Sequence, residues 1–155
     1  MKQTVQLQEA QARMAPGVIA RDGFMGSDRR SLSEILAADA AEVSRLGLAD
    51  EEIAARMAEL RDSGYPGLGE SVEVPPHLEV RVESERGKLP CPFGDSGGHR
   101  KTLVTVLNKR LGRSVSYTDL SIHLVREHGF YEGSGSAFRL EPADLKEILE
   151  IGGAR

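Results

Sequence analysis

Residues 102–117, TLVTVLNKRLGRSVSY, decide the fold of this chain. Two runs rich in β-branched residues, Thr102–Leu107 and Ser114–Tyr117, flank a short polar segment. Gly112 lies in that segment, where it can supply the backbone conformation of a turn. The stretch therefore predicts a β-hairpin.

A third strand is predicted before this hairpin. In residues 78–83, LEVRVE, apolar and charged side chains alternate, which is typical of a half-buried strand. Residues 86–101 follow, and most of this segment reads KLPCPFGDSGGHRK. Its glycines and prolines predict a loop. Residues 137–140, AFRL, are predicted to form a last short strand.

Helices are predicted on both sides of the strands. Ser31 and Glu34 have the spacing of a capping box, and apolar residues recur at helical period after them. Gly47 separates this helix from a second one over about residues 50–62, so the pair is predicted to form an αα-hairpin.

Two further helices are predicted in the C-terminal part of the chain. One begins after Thr118 or Asp119 and ends near Glu127, because Gly129 stops it. The other starts at Pro142, which suits a first helical turn. The order of elements predicts an α+β fold with an N-terminal αα-hairpin, a small antiparallel β-meander and C-terminal helices.

Length and composition set the domain organisation. A chain of 155 residues, 39% hydrophobic and 28% charged, is predicted to form one globular domain. The Gln-rich residues 1–14 are predicted to be a tail, disordered or loosely docked, and residues 15–155 a single α+β domain. Cys91 is the only cysteine, and no apolar run suggests a signal peptide or a membrane span. We therefore expect a cytoplasmic protein.

Charge is distributed unevenly along the chain. The net charge is −4, but residues 86–113 carry seven basic residues and only one acidic residue, Asp95. A local excess of positive charge attracts anions, so these residues are the candidate surface for an anionic ligand or protein partner. The seven are Arg86, Lys88, Arg100, Lys101, Lys109, Arg110 and Arg113.

The C-terminal half also contains residues that can bind a metal ion. Cys91, His99, His123 and His128 are spaced as C-x7-H-x23-H-x4-H. Thiolate and imidazole ligands suit tetrahedral zinc, and the H-x4-H spacing is within the range of zinc sites. On one helix, however, His123 and His128 would be about 140° apart. Both can face one ion only if the helix ends close to His128.

Two other hypotheses follow from the residues. Cys91 could act as a nucleophile with His99 or His128 as its base, but no complete catalytic motif is present, and the protein is not expected to be an enzyme. The stretch RLGLADEEIAARM, residues 45–57, resembles the helix-turn-helix of bacterial transcription regulators. The Gly and Pro residues after it leave no room for a recognition helix, and its own exposed face is acidic. Sequence-specific DNA binding is therefore not expected.

Two functions remain open from the sequence. The first is a small binding or regulatory protein whose basic segment meets an anionic partner. The second is a metal-binding protein or metallohydrolase that uses the Cys and His residues. No cofactor other than zinc and no association with a membrane are expected.

Overall fold

The computed structural model describes residues 3–152. Within that range it contains five α-helices, one 3-10 turn and a four-stranded antiparallel sheet, which confirms the predicted α+β fold. In chain order the elements are α1 (Val5–Arg13), α2 (Leu32–Arg45), α3 (Asp50–Gly64), the 3-10 turn (Tyr65–Gly67), β1 (Val72–Val74), β2 (Leu78–Pro90), β3 (Gly98–Asn108), β4 (Arg113–Thr118), α4 (Asp119–His128) and α5 (Pro142–Ile148).

The sheet is a meander with the strand order β1-β2-β3-β4. The predicted hairpin is present as β3 and β4, and the short strand β1, which the sequence did not predict, pairs with the start of β2. Val80 lies opposite Val106, and Val82 lies opposite Val104. All four valines are buried, so this face of the sheet forms the core beneath the helices.

The prediction of a loop over residues 86–101 is wrong. β2 and β3 continue through most of it, and only residues 91–97 connect them. The register shifts between Glu85 and Lys88, and Gly87 has a φ of 99° there. A bulge at a residue that tolerates positive φ lets the two strands stay paired despite the glycines.

The outer part of β2 and β3 forms a two-stranded extension of the sheet. β1 pairs only with Leu78–Val80, and β4 pairs only with Leu103–Asn108. Residues 84–90 and 98–102 therefore have each other as their only strand partners among residues 3–152. We call these two segments the outer ribbon.

Two of the described helices, α2 and α4, begin where their caps predict. Ser31 and Glu34 form the reciprocal capping box of α2, and Thr118 forms a second box with Ser121 at the start of α4. The two helices α2 and α3 are joined at Gly47. The two helices then pack against different elements. α3 packs mainly against α4 and β2, whereas α2 packs against α1 and α5. None of the described helices is long and apolar enough to cross a lipid bilayer.

The N-terminal segment, predicted as a tail, contains a docked helix. Ala10 of α1 is buried. Met14, the residue directly after the helix, is fully buried and belongs to the same hydrophobic cluster as residues of α2 and α4. Arg13 Nε donates a hydrogen bond of 2.6 Å to the carbonyl oxygen of Pro92 in the loop after β2. Residues 1–2, which also belonged to the predicted tail, lie outside the described residues.

The prediction of a strand over Ala137–Leu140 is also wrong. This segment is a turn, in which the Arg139 amide donates to the Ser136 carbonyl. The Arg139 guanidinium donates two hydrogen bonds, of 2.7 and 2.9 Å, to the buried carboxylate of Asp39. The segment is therefore held by a side-chain ion pair and a local turn rather than by pairing with a strand.

Candidate metal centre

The loop of residues 91–97, CPFGDSG, folds back on itself. The Gly94 amide donates to the Cys91 carbonyl at 3.0 Å, and Gly94 has a φ of 93°. A residue with a Cβ adopts that backbone conformation only with strain. This turn returns Asp95 to the side of Cys91, so that a C-x3-D segment presents both side chains to α4.

α4 supplies the other two side chains. It ends at His128, and Gly129 caps it with a left-handed φ of 59°. Although His123 and His128 are five residues apart, both rings reach the same carboxylate. His123 Nε2 lies 2.8 Å from Asp95 Oδ2, and His128 Nε2 lies 2.6 Å from the same oxygen. The helix thus ends at the position that lets both histidines face one point.

Four side chains from two separate segments meet there. The sulfur of Cys91 lies 3.5 Å from His128 Nε2. One ligand atom from each of Cys91, Asp95, His123 and His128 lies within 4.8 Å of all the others. We call these four residues the Cys-Asp-His-His cluster. It could hold a metal ion.

The cluster lies at the edge of the hydrophobic core. Cys91 is 2% exposed, whereas the side chain of Asp95 is 38% exposed. Phe93 stacks on the ring of His128, with 4.0 Å between centroids and 8° between planes, and meets Phe130 edge-on. Packing against Phe93 fixes the orientation of the His128 ring before any ligand binds.

The structure brings together three of the four predicted metal ligands. His99 lies beside the cluster and not in it: its ring centroid is 4.2 Å from that of His123. The Nε2 atom of His99 is buried and has no hydrogen-bond partner among the described residues. Asp95 occupies the remaining place. Asp95 is not among the ligands that the sequence predicts, although it lies four residues after Cys91, in the spacing C-x3-D.

Burial and hydrogen bonds set the protonation of the cluster. Burial raises the pKa of the Cys91 thiol, so without a cation the sulfur keeps its proton at neutral pH. The hydrogen bond from His128, and then the one from His123, lower the pKa of Asp95. Burial also lowers the pKa of His99, and the nearby His123 adds to this effect. The cluster therefore offers a carboxylate and two imidazoles, together with a thiol that a cation can deprotonate.

The geometry does not favour Cys91 as a nucleophile. His128 is close enough to act as a base, but the sulfur is almost completely buried. Burial also raises the pKa of the thiol, which disfavours the thiolate that would attack a substrate. A reactive cysteine needs both access and thiolate character, and Cys91 has neither.

The seven basic residues of the predicted anion surface lie in two places. Three are at the turn between β3 and β4, where each is paired with acids from β1, α5 or the residues that follow α5. Lys109 is 2.7 Å from Glu73, and Arg110 is 3.6 Å from Glu150. Arg113 contacts both Asp144, at 2.6 Å, and Glu147, at 2.7 Å.

The other four lie on the outer ribbon: Arg86, Lys88, Arg100 and Lys101. All four are exposed, and none forms an ion pair with another residue in the described range. Lys88 lies directly opposite Arg100 in the β2–β3 register. Like charges in such a cross-strand pair repel each other, whereas Lys101 lies opposite an acid, Glu85, without forming an ion pair with it.

Comparison of the chain with protein-family models, with curated proteins and with solved structures gave no significant match in any of the three.

Proposed function

We propose that this chain is a zinc-binding protein in which the Cys-Asp-His-His cluster holds the ion. The observation that carries the proposal is the meeting of four ligand atoms, from a loop and a helix, within 4.8 Å of one another. The ion would fasten the tip of the outer ribbon to the end of α4. Its role would be structural.

The types and number of the ligands support zinc in this role. A thiolate, two imidazoles and one carboxylate oxygen are donors that zinc accepts, whereas calcium and magnesium prefer oxygen donors alone. The thiolate of Cys91 and the carboxylate of Asp95 would balance the double positive charge of the ion. Four protein ligands complete a tetrahedral shell, but a hydrolytic zinc site keeps one position open for water. The ligand set thus favours a structural centre over a metallohydrolase.

The distances within the cluster are consistent with a site that opens slightly to admit the ion. Ligands held at about 2.0–2.1 Å from zinc in a tetrahedron are about 3.3 Å apart. The two imidazole nitrogens lie 2.6 and 2.8 Å from the Asp95 oxygen, as hydrogen-bonded groups do. Asp95 is the most exposed of the ligands and lies on a loop, so its carboxylate can move by this amount without disturbing the core.

Cobalt substitution tests the ligand set. Co(II) in a tetrahedral site absorbs visible light, and a thiolate ligand adds a charge-transfer band in the near ultraviolet. We expect both features in the wild-type protein and loss of the charge-transfer band in Cys91→Ser. The matched control is His99→Gln, which should keep both features because His99 is outside the cluster. Cobalt bound without a sulfur band would contradict the proposal, as would loss of the spectrum in His99→Gln.

A second candidate function is the binding of an anionic partner by the outer ribbon. One observation favours it. The four basic residues of the outer ribbon form no ion pair within the described range, whereas the three at the other end of β3 are all paired with acids. Charges without intramolecular partners remain available to phosphates or carboxylates of another molecule. If zinc fastens the tip of the ribbon, it also fixes the positions of these charges.

Chromatography on heparin, a soluble polyanion, tests this surface. Replacing Arg100 and Lys101 by Gln is expected to lower the salt concentration at which the protein elutes, because fewer counterions are released on binding. The matched control replaces Lys109 and Arg110, whose charges are already paired with acids, and should shift elution less. Equal shifts for the two double variants would show that the ribbon has no special role.

A further inference from the structure

Two adjoining hollows lie between the outer ribbon, the start of α4 and the turn near Phe138. The larger measures about 330 Å³ and the smaller about 140 Å³. Four residues line both of them: Leu89, Thr118, Leu120 and Phe138. Together the hollows have the size and the mainly apolar lining of a site for a small organic molecule. They are formed by residues other than the four of the Cys-Asp-His-His cluster.

A buried hydroxyl in the larger hollow has no partner. Thr102 lines this hollow and is 1% exposed, and its Oγ1 atom makes no hydrogen bond with any residue in the described range. Leaving a buried polar group unsatisfied costs about 1–3 kcal/mol. The hydroxyl of Thr118, another residue of this lining, is already engaged, because it caps α4 through Ser121.

The smaller hollow contains a buried carboxylate. Glu132 lines it, is 6% exposed and has a φ of 67°, which is strained for a residue with a side chain. The Ser136 hydroxyl donates to Glu132 Oε1 at 2.6 Å. The nearby Arg139 donates to the Glu132 backbone carbonyl and to Asp39, and not to the Glu132 carboxylate.

Burial also disfavours the charged form of the Glu132 carboxyl group, which a bound cation would stabilise. Burial raises the pKa of its carboxyl group to about 7, although the hydrogen bond from Ser136 opposes this change. The charge of Arg139 opposes it as well, but the Arg139 guanidinium donates its hydrogen bonds to other groups. Strained backbone and a buried acid with a raised pKa are both features that concentrate at binding sites. A cation placed beside this carboxylate would relieve the cost of burying its charge.

We propose that the two hollows form one binding site for a small amine with an apolar body. Its ammonium group would lie beside Glu132, and its body would lie on Leu89, Leu120 and Phe138. The Thr102 hydroxyl would face the far end of the ligand. The larger hollow is lined by two acids, Glu83 and Glu85, and two bases, Arg100 and Lys101, and the smaller by the pair Arg21 and Asp22. The exposed charges of the two linings therefore balance, although the outer ribbon as a whole, with Arg86 and Lys88, is positive. The buried carboxylate therefore decides the charge of the ligand.

The binding of 2-phenylethylamine, compared with its neutral isostere 2-phenylethanol, tests the proposal on the wild-type protein. We expect saturable binding of the amine in an NMR titration, at least about tenfold tighter than that of the alcohol, since a charge-assisted hydrogen bond is lost in the alcohol. Absence of saturable amine binding would overturn the proposal, and so would equal affinities for the two compounds.

Two substitutions locate the site. Glu132→Gln should weaken binding of the amine about tenfold and leave binding of the alcohol unchanged, whereas Glu127→Gln, an exposed control outside both hollows, should change neither. Thr102→Val should weaken binding of both compounds and also raise the unfolding midpoint, because it removes an unsatisfied hydroxyl. Unchanged affinities in both variants would place the compounds elsewhere. If Glu132→Gln does not fold, the comparison on the wild-type protein still decides.

Discussion

Chelation of zinc is expected to lower the unfolding midpoint of the protein by about 8–16 °C. A ligand that binds only the folded state at a thousand times its Kd contributes about 4 kcal/mol, and each kcal/mol is equivalent to about 2–4 °C for a chain of this size. The reason is local: the ion ties the loop of residues 91–97 to α4, and without it weaker contacts join the two, namely the hydrogen bonds of Asp95, the contact of Cys91 with His128 and the packing of Phe93. Differential scanning calorimetry with and without chelator measures the effect.

Two variants control this experiment. Cys91→Ser should unfold at a lower temperature than the wild type and should not respond to the chelator, because sulfur is the ligand that the proposed site cannot replace. His99→Gln should respond as the wild type does. Hydrogen exchange in residues 91–97 and at the end of α4 should accelerate on chelation, while exchange in the core strands changes little. A midpoint that does not depend on chelator would mean that no metal supports the fold.

Replacing Arg139 by Met is expected to cost about 3–5 kcal/mol of stability. Arg139 donates two hydrogen bonds to Asp39, and the substitution would leave that carboxylate, which is 5% exposed, buried and without a partner. The same guanidinium donates to the Glu132 carbonyl, so the turn that replaces the predicted last strand would also lose a contact. Equilibrium urea denaturation measures the change.

Arg113→Met is the matched control for this prediction. Arg113 also contacts two acids, Asp144 and Glu147, but these groups are exposed to solvent. Water screens such pairs, so the expected cost is below about 1 kcal/mol. Adding Asp39→Asn to Arg139→Met should restore part of the stability, since it removes the buried charge. Equal costs for Arg139→Met and Arg113→Met would contradict the role assigned to burial.

The parts of the fold that sequence predicted correctly depend on local signals. The capping box of Ser31 and Glu34, the cap at Thr118 and the stop at Gly129 act within one helical turn, so neighbouring residues reveal them. The core strands have an apolar residue at every second position, which specifies both the strand and its buried face. These signals do not depend on the rest of the chain.

The errors concern segments whose structure depends on distant residues. The strands of the outer ribbon pair across glycines because a bulge at Gly87 absorbs the irregularity, and local composition does not show which strand lies opposite. Conversely, Ala137–Leu140 has the composition of a strand, but within the described part of the chain it has no strand to pair with. Its Arg139 is held by Asp39, a hundred residues away in sequence.

The candidate site was predicted only in part, because the sequence shows which residues can bind a metal but not which residues meet in the fold. Cys91, His123 and His128 have side chains whose chemistry suggests a metal ligand wherever they occur. Aspartate in a glycine-rich loop is most often a turn residue, so Asp95 gave no such signal. Likewise, summing charges along residues 86–113 identified a basic segment. It could not reveal that Lys109, Arg110 and Arg113 would meet acids contributed by β1, α5 and the residues after α5.

The most direct test of the account is the zinc content of the untagged protein, purified without chelator and measured by mass spectrometry. We predict close to one zinc ion per chain in the wild type, a similar content in His99→Gln, and a content near zero in Cys91→Ser. A wild-type protein that contains no metal, or a Cys91→Ser variant that keeps its zinc, would contradict the assignment of the Cys-Asp-His-His cluster as a zinc centre.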